Sequence, residues 1–241
     1  MADKDRDDDR STQDVRIADA LTYDIITWRI EPGEWIRERS IAERFDVSHG
    51  PVREAFRRLQ REGFVEVVPW RGARVIELDV DRARQVLETW KHLFGVVCGL
   101  AAQRLPAADH ELLMQLIVGY EAVVRVTNDP VEHVRTSNRV GQFISERCGN
   151  PMLADILFRV ALHARWHYPL LRRTHADKVN PQAGLHSARI FRQTAEAIVA
   201  GDAVTAESRA QELLSVAEVP FAQAVAQHLE ERRRRQPPSP I

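Results

Sequence analysis

Apolar residues recur along most of the chain at the spacing of one helix face. Ile17, Leu21, Ile25 and Trp28 follow one another at four, four and three residues, which predicts an amphipathic helix. Glu31-Pro32-Gly33 breaks that pattern. A short helix is expected over about 40–45. Ser48 is then placed as an N-cap and Pro51 in a first turn, ahead of a stripe of Val52, Ala55, Phe56 and Leu59. Gly63 ends this third helix and the period changes from helical to alternating. Phe64-Val65-Glu66-Val67-Val68 and Ala73-Arg74-Val75-Ile76 are β-rich runs, with Pro69-Trp70-Arg71-Gly72 as the turn between them. Three helices and a hairpin in this order are the pattern of a winged helix-turn-helix.

From Asp79 onward the helical period takes over. Val86, Trp90, Leu93, Phe94, Val97 and Ala101 make one stripe, and Leu112, Leu113, Leu116, Ile117, Tyr120, Val123 and Val124 another. Punctuation at Pro106, Asn128-Asp129-Pro130, Gly149-Asn150-Pro151, Asn180-Pro181 and Gly201-Asp202 divides the segment into six expected helices, at 80–104, 107–126, 130–148, 151–174, 182–200 and 202–229. Pro220 is expected to kink or shorten the last. The fold class is therefore mainly α: an N-terminal winged helix-turn-helix over 14–78, then an all-helical antiparallel bundle of about six helices over 79–230. Residues 1–13 lack aliphatic and aromatic anchors and read as a disordered acidic tail, and 231–241 as a disordered basic, Pro-rich tail.

Charge alters this picture locally rather than globally. Lys plus Arg number 34 against 35 Asp plus Glu in 241 residues, so the chain is not polybasic. Yet residues 35–75 hold nine Arg and six acids, and Arg53, Arg57 and Arg61 lie four apart on the outer ridge of the third helix. Such a ridge can face a DNA groove, where Arg forms bidentate contacts with guanine or pairs with phosphate. The bland alternative is a solvated helix with Glu54 and Glu62 as partners. The capped turn and a wing with Arg71 at its tip favour DNA. No apolar run is long enough to span a bilayer, and the charged N-terminus is unlike a secretory signal. Two cysteines, Cys98 and Cys148, fit a reducing cytoplasm. The expected location is cytoplasmic and nucleoid-associated.

The run Ile30-Glu31-Pro32-Gly33-Glu34-Trp35-Ile36, followed by Ile41 to Val65 with Pro51-Val52-Arg53-Glu54-Ala55 at its centre and Glu62-Gly63-Phe64-Val65 at its end, closely resembles the winged-helix signature of GntR-family transcription regulators. The resemblance covers about residues 15–77 and implies a homodimer on a short palindromic duplex operator. It carries DNA contacts to Arg39, to Ser48, His49, Gly50 and Arg53, and to Arg71 and Gly72, to which the ridge adds Arg57. The family usually has Gly where Asp46 stands and Arg where His49 stands. A neutral His49 lacks the permanent charge and the fork of an arginine, so a shifted operator preference is expected. Arg44 is expected at the surface or facing phosphate.

The six helices resemble the effector-binding, dimerising FCD domain of the FadR subfamily, most clearly at Gly149-Asn150-Pro151-Met152-Leu153 and Ala197-Ile198-Val199-Ala200-Gly201-Asp202. Many members hold a divalent metal there on one Asp and three His. Counting from the two landmarks puts those positions at Ser137, Gly141, Phe191 and Leu213, and the family's usual pocket Arg and Glu at Trp90 and Phe94. A cation without ligands is prohibitive to bury, so neither metal nor other cofactor is expected. Trp90, Phe94, Phe191 and Leu213 line either a dry pocket or a filled core. Arg165 is an alternative anchor for a carboxylate. His163 and His167, with His175 and His186 following, read as surface or core residues, since Arg159, Arg165, Arg172 and Arg173 crowd that helix with positive charge.

The reading is a sequence-specific, non-enzymatic regulator, expected to repress, with an organic acid or apolar metabolite as effector and no membrane partner. Its alternative is a ligand-independent repressor with a collapsed pocket. An enzyme would need a nucleophile and base, a phosphate loop or a metal set, and the sequence offers none.

Overall fold

The computed structural model describes residues 2–127, 129–167, 169–170 and 181–235. The chain divides into two compact units, Met1–Leu78 and Asp79–Ile241.

The first unit begins with helix α1 (Ala2–Ile26). This helix enters the segment expected to be a disordered tail, and it buries Ile17, Ala18, Leu21 and Ile25. Helix α2 (Glu38–Phe45) and helix α3 (His49–Arg61) follow, and α3 buries Pro51, Val52, Ala55, Phe56 and Leu59, packing against α1. Asp46 ends α2 in the left-handed region at φ 52°, which explains the glycine usual at this place in relatives of the signature. Strand β2 (Val65–Val68) pairs with β3 (Gly72–Val75) antiparallel, Val68 opposite Gly72. A two-residue strand, β1 (Trp35–Ile36), pairs on the other side of β3, with Trp35 opposite Arg74. This third strand is too short to show a period of two and was not expected from the sequence. An added Cβ at Gly72, where φ is +103°, would collide with the Ile36 carbonyl oxygen, so glycine lets β1 close on the hairpin.

The second unit comprises α4 (Val80–Arg104), α5 (His110–Val126, after a 3-10 turn at Ala107–Asp109), α6 (Pro130–Glu146), α7 (Pro151–Trp166), α8 (Pro181–Val199) and α9 (Ala203–Arg235). Asp79 caps α4 by accepting from the Asp81 amide, and Asn150 caps α7 by accepting from Leu153. Helix α4 touches α6, α7, α8 and α9 and is the centre of the unit. It lies close to α9 because Gly99 leaves space: a Cβ there would be 3.3 Å from the Ala203 carbonyl oxygen. The core gathers Phe94, Val97, Cys98, Leu113, Ile117, Val140, Ile144, Leu157, Phe191 and Ile198.

Three expectations are corrected here. Helix α6 stops at Glu146 and α7 at Trp166, both earlier than read. Helix α9 is assigned unbroken across Pro220 and on to Arg235, so it includes Arg232 to Arg235 of the expected tail. Proline removes one donor from a long ladder, and the turns on either side keep theirs. His175, Arg172, Arg173 and residues 236–241 lie outside the described residues. No helix among the described residues is long and apolar enough to cross a membrane.

Candidate DNA-binding surface and effector cavity

The outer face of α3 is built by subtraction. Burying Val52, Ala55, Phe56 and Leu59 turns Arg53, Arg57 and Arg61 to solvent. Ser48 is the N-cap residue with extended backbone, but its hydroxyl makes no cap hydrogen bond, contrary to the expected capping role. His49 and Gly50 are exposed at the same end, where the unsatisfied amides of a helix start favour an anion. The Arg53 guanidinium donates to Glu38 Oε2 at 2.9 Å, and His49 Nδ1 lies 3.9 Å from the same oxygen. Arg57 bonds Glu54, and Arg39 donates to Glu43 at 2.8 Å. These are exposed pairs, each worth about 0–1 kcal/mol and screened by salt. Pairs this weak can exchange for other anions.

Two arginines have other duties. Arg44 lies at the surface, as expected, and donates to the buried Asp24 carboxylate at 2.6 Å, joining α2 to α1. Arg71, at the wing, stacks its guanidinium 5.5 Å from the Trp35 ring centre.

The bundle holds a cavity of about 520 Å³ between α4, α5, α6, α7, α8 and α9. All seven positions expected of an effector site lie on its wall: Trp90, Phe94, Ser137, Gly141, Arg165, Phe191 and Leu213. The rings of Phe94 and Tyr120 both meet Phe191 edge-on, at 6.2 and 5.9 Å. Burial pushes the Tyr120 hydroxyl up to about 12, so it stays a neutral donor. Gly141 faces the ring of Phe94, where an added Cβ would make ordinary contact at 3.6 Å from Phe94 Cε2.

The sequence reading placed Ser137 and Gly141 on this wall but missed His133 and Ser145. His133, Ser137, Gly141 and Ser145 recur every fourth residue along α6 and all line the cavity. That stripe of small and polar residues was a usable signal, since an apolar core helix would not carry it. His133 Nε2 is 2.6 Å from the Thr127 carbonyl oxygen, and Ser137 Oγ donates to the Val134 carbonyl. The wall's acids are engaged, Glu146 by Gln142 and Arg147 and Asp155 by Arg159. Arg165 differs: its Nε is buried with no hydrogen-bond partner, and its guanidinium lies 5.7 Å from the Phe158 ring centre.

A divalent cation does not fit this donor set. Of the four positions that would hold it, Gly141, Phe191 and Leu213 offer no side-chain donor, and the Ser137 hydroxyl is spent on backbone. Just past the end of α7, His167 is buried, with Nδ1 2.8 Å from the His163 carbonyl oxygen. Burial, with the nearby His163 and Arg82, lowers its pKa to about 4. Burial also holds the Cys98 thiol well above the usual range, which keeps it protonated and unreactive.

A winged helix-turn-helix with an exposed arginine ridge, joined in one chain to a helical bundle around a ligand-sized cavity, defines an effector-responsive DNA-binding regulator. Residues 13–75 match the family of bacterial regulatory proteins of the gntR type, and residues 79–216 match the FCD domain. The chain belongs to the FCD branch of the GntR family of bacterial transcription regulators. It is 28% identical over 221 residues to the HTH-type transcriptional regulator Mce2R of Mycobacterium tuberculosis, covering 83% of this chain and 88% of that protein. It is 38% identical to the HTH-type transcriptional repressor RspR of Escherichia coli over 64 residues, 27% of this chain and 28% of that one. Among solved structures, E. coli McbR/YncC superposes with a TM-score of 0.72 at 18% identity over 88% of this chain and 97% of that one. A putative GntR regulator from Rhodococcus sp. RHA1 gives 0.66 at 19% identity, over 88% and 99%.

Proposed function

We propose that the protein represses transcription as a cytoplasmic homodimer on a palindromic operator, and that an amphipathic organic acid in the bundle cavity modulates its grip. Arg53, Arg57 and His49 read the major groove. Arg39, Ser48, Gly50, Arg71 and Gly72 contact the backbone and the flanking groove. In the bundle, Trp90, Phe94, Phe191 and Leu213 take the ligand's apolar body. Arg165 pairs with its carboxylate, while Ser137 and Gly141 leave room beside it. The carrying observation is Arg165, a guanidinium with a buried and unpartnered Nε on a cavity wall whose acids are occupied. Such a cation is costly to bury alone, and an incoming carboxylate removes that cost. The site needs no metal and performs no chemistry on its ligand.

Two measurements test this reading. Arg53→Ala should weaken binding to a duplex selected by the wild type by about ten- to a hundred-fold, with the dimer intact. Unchanged affinity refutes α3 as the reading helix. For the bundle, octanoate and 4-phenylbutyrate should raise the melting temperature of metal-stripped protein, by about 2.7 kcal/mol of stability at a hundred times the dissociation constant. Arg165→Met should abolish the effect for the acids and keep any effect of octanol. Equal shifts in both proteins would refute the anchor.

A further inference from the structure

The cavity has a second polar place besides Arg165. Tyr120 is only 4% exposed, yet it lines the cavity, and no group among the described residues hydrogen-bonds its hydroxyl. Ser187 lines the same space, also without a hydrogen-bond partner among the described residues. Ser137 and Ser145, by contrast, each spend their hydroxyl on a carbonyl of the preceding turn. A buried hydroxyl left unmet is costly and calls for a partner. His133 completes the set. Its Nε2 lies 2.6 Å from the Thr127 carbonyl oxygen, which can only accept, so Nε2 carries the proton and the neutral ring keeps Nδ1 as an acceptor. Helix α8 brings the three together. A Cβ on Gly184 would lie 3.2 Å from both His133 Cε1 and Val124 Cγ1, and Phe191 meets the Tyr120 ring. Ser187 falls between Gly184 and Phe191 on that helix face. His133 and Ser187 stand one turn ahead of Ser137 and Phe191, so this set is distinct from the four positions that do not suit a cation.

The chemistry of the set selects its partner. Tyr120 offers a donor and His133 an acceptor, while Ser187 can act as either. A carboxylate only accepts, and would face the Nδ1 lone pair. A hydroxyl donates and accepts, so it satisfies Tyr120 and His133 at once. Arg165 stands on α7, which packs on α4 and α6, whereas Tyr120 and Ser187 stand on α5 and α8, which pack on each other. One ligand meeting both places therefore carries its hydroxyl apart from its carboxylate, with an apolar body along Phe94 and Phe191. We propose that the effector is a carboxylic acid with a remote alcohol or phenol hydroxyl, which donates to His133 Nδ1 and accepts from Tyr120, with Ser187 beside it. This inference rests on the organic-acid reading of the cavity and narrows it.

The test compares octanoate with 8-hydroxyoctanoate, and 4-phenylbutyrate with 4-(4-hydroxyphenyl)butyrate, by calorimetric titration of the full chain. Desolvating a hydroxyl costs affinity in an apolar cavity, so a gain requires partners. The wild type should hold each hydroxylated acid about five- to ten-fold more tightly than its parent. By contrast 2-hydroxyoctanoate, whose hydroxyl adjoins the carboxylate, should gain nothing over octanoate. Tyr120→Phe removes a hydroxyl that the fold does not use. It should keep the melting temperature and the affinity for the parent acids, and lose most of the preference. Ser187→Ala, which also removes an unused hydroxyl, should lose part of it. A wild type without the preference, a preference unchanged in the variants, or an equal gain from 2-hydroxyoctanoate would overturn the inference and leave the acid reading standing. Should the wild type bind none of these acids, the organic-acid reading falls, and the inference with it.

Discussion

The two units place their working residues on opposite sides of their cores. In the first, a filled core of Ile17, Leu21, Ile25, Phe56 and Leu59 pushes Arg53, Arg57 and Arg61 outward, where each competes with water. In the second, working residues point inward to a space the core leaves open, and the half-buried Arg165 has a buried Nε without a hydrogen-bond partner. The same guanidinium therefore has two energetic roles. On α3 its pairs with Glu38 and Glu54 are weak and exchangeable, as suits a partner with many phosphates. In the cavity a single unpaired donor can favour one ligand over another, because a buried N–H without a partner is costly.

The contrast can be broken most sharply at Phe191. It is 2% exposed and meets both Phe94 and Tyr120, so Phe191→Ala should destabilise the bundle by about 3–5 kcal/mol. Chemical denaturation of the full chain would show it. A loss under about 1 kcal/mol would mean that the cavity already behaves as a void and the ring supports nothing.

Acid should separate the units next. The folded pKa of His167 is about 4, below its usual 6.5, so folding favours the neutral ring. That contribution is complete above pH 6.5 and is lost as pH falls toward 4, at most about 3 kcal/mol. The Glu121 carboxylate, lowered by its hydrogen bond from Arg192, weakens the bundle only below the ordinary carboxylate range. His167→Gln should therefore flatten the stability profile between pH 6.5 and about 4.5. An unchanged slope there would assign the acid response to other groups.

Smaller effects sharpen the picture of the reading surface. Glu38→Gln removes the charge shared by Arg53 and His49 and should raise operator affinity about two- to five-fold at low salt. Weaker binding would instead make Glu38 the residue that aims Arg53. Asp46→Gly relieves the left-handed C-cap of α2 and should raise the stability of the first unit by about 0.5–1 kcal/mol, read by thermal melting. A fall would mean the aspartate side chain stabilises its own turn.

What the sequence made legible follows the same division. The ridge on α3 was readable because a surface is the complement of a stripe: once Val52, Ala55, Phe56 and Leu59 are assigned inward, Arg53 and Arg57 must face out. Arg44 also faces out, but its bond to buried Asp24 could not be read, since that partner lies twenty residues away in the chain. Strand β1 was invisible because two residues have no period, and its pairing is set by Gly72 across the sheet. In the bundle, helix positions followed from punctuation, but a cavity is a property of several helices in register. The seven wall positions were found through family landmarks, while His133 and Ser145 carried only a four-residue rhythm. The unpaired state of Arg165 could not be read at all, because it depends on Arg159 and Gln142 having taken the neighbouring acids.

Asp24 joins Arg44 and Arg29 through its carboxylate, and its own carbonyl receives the Arg29 and Ile30 amides. With a fifth bond from the Thr27 hydroxyl to that carbonyl, five hydrogen bonds meet at one buried residue behind the helix-turn-helix. The reader head is consequently cast before any nucleic acid arrives, and association should proceed as rigid docking, with a modest heat-capacity change and no segment that must fold on contact.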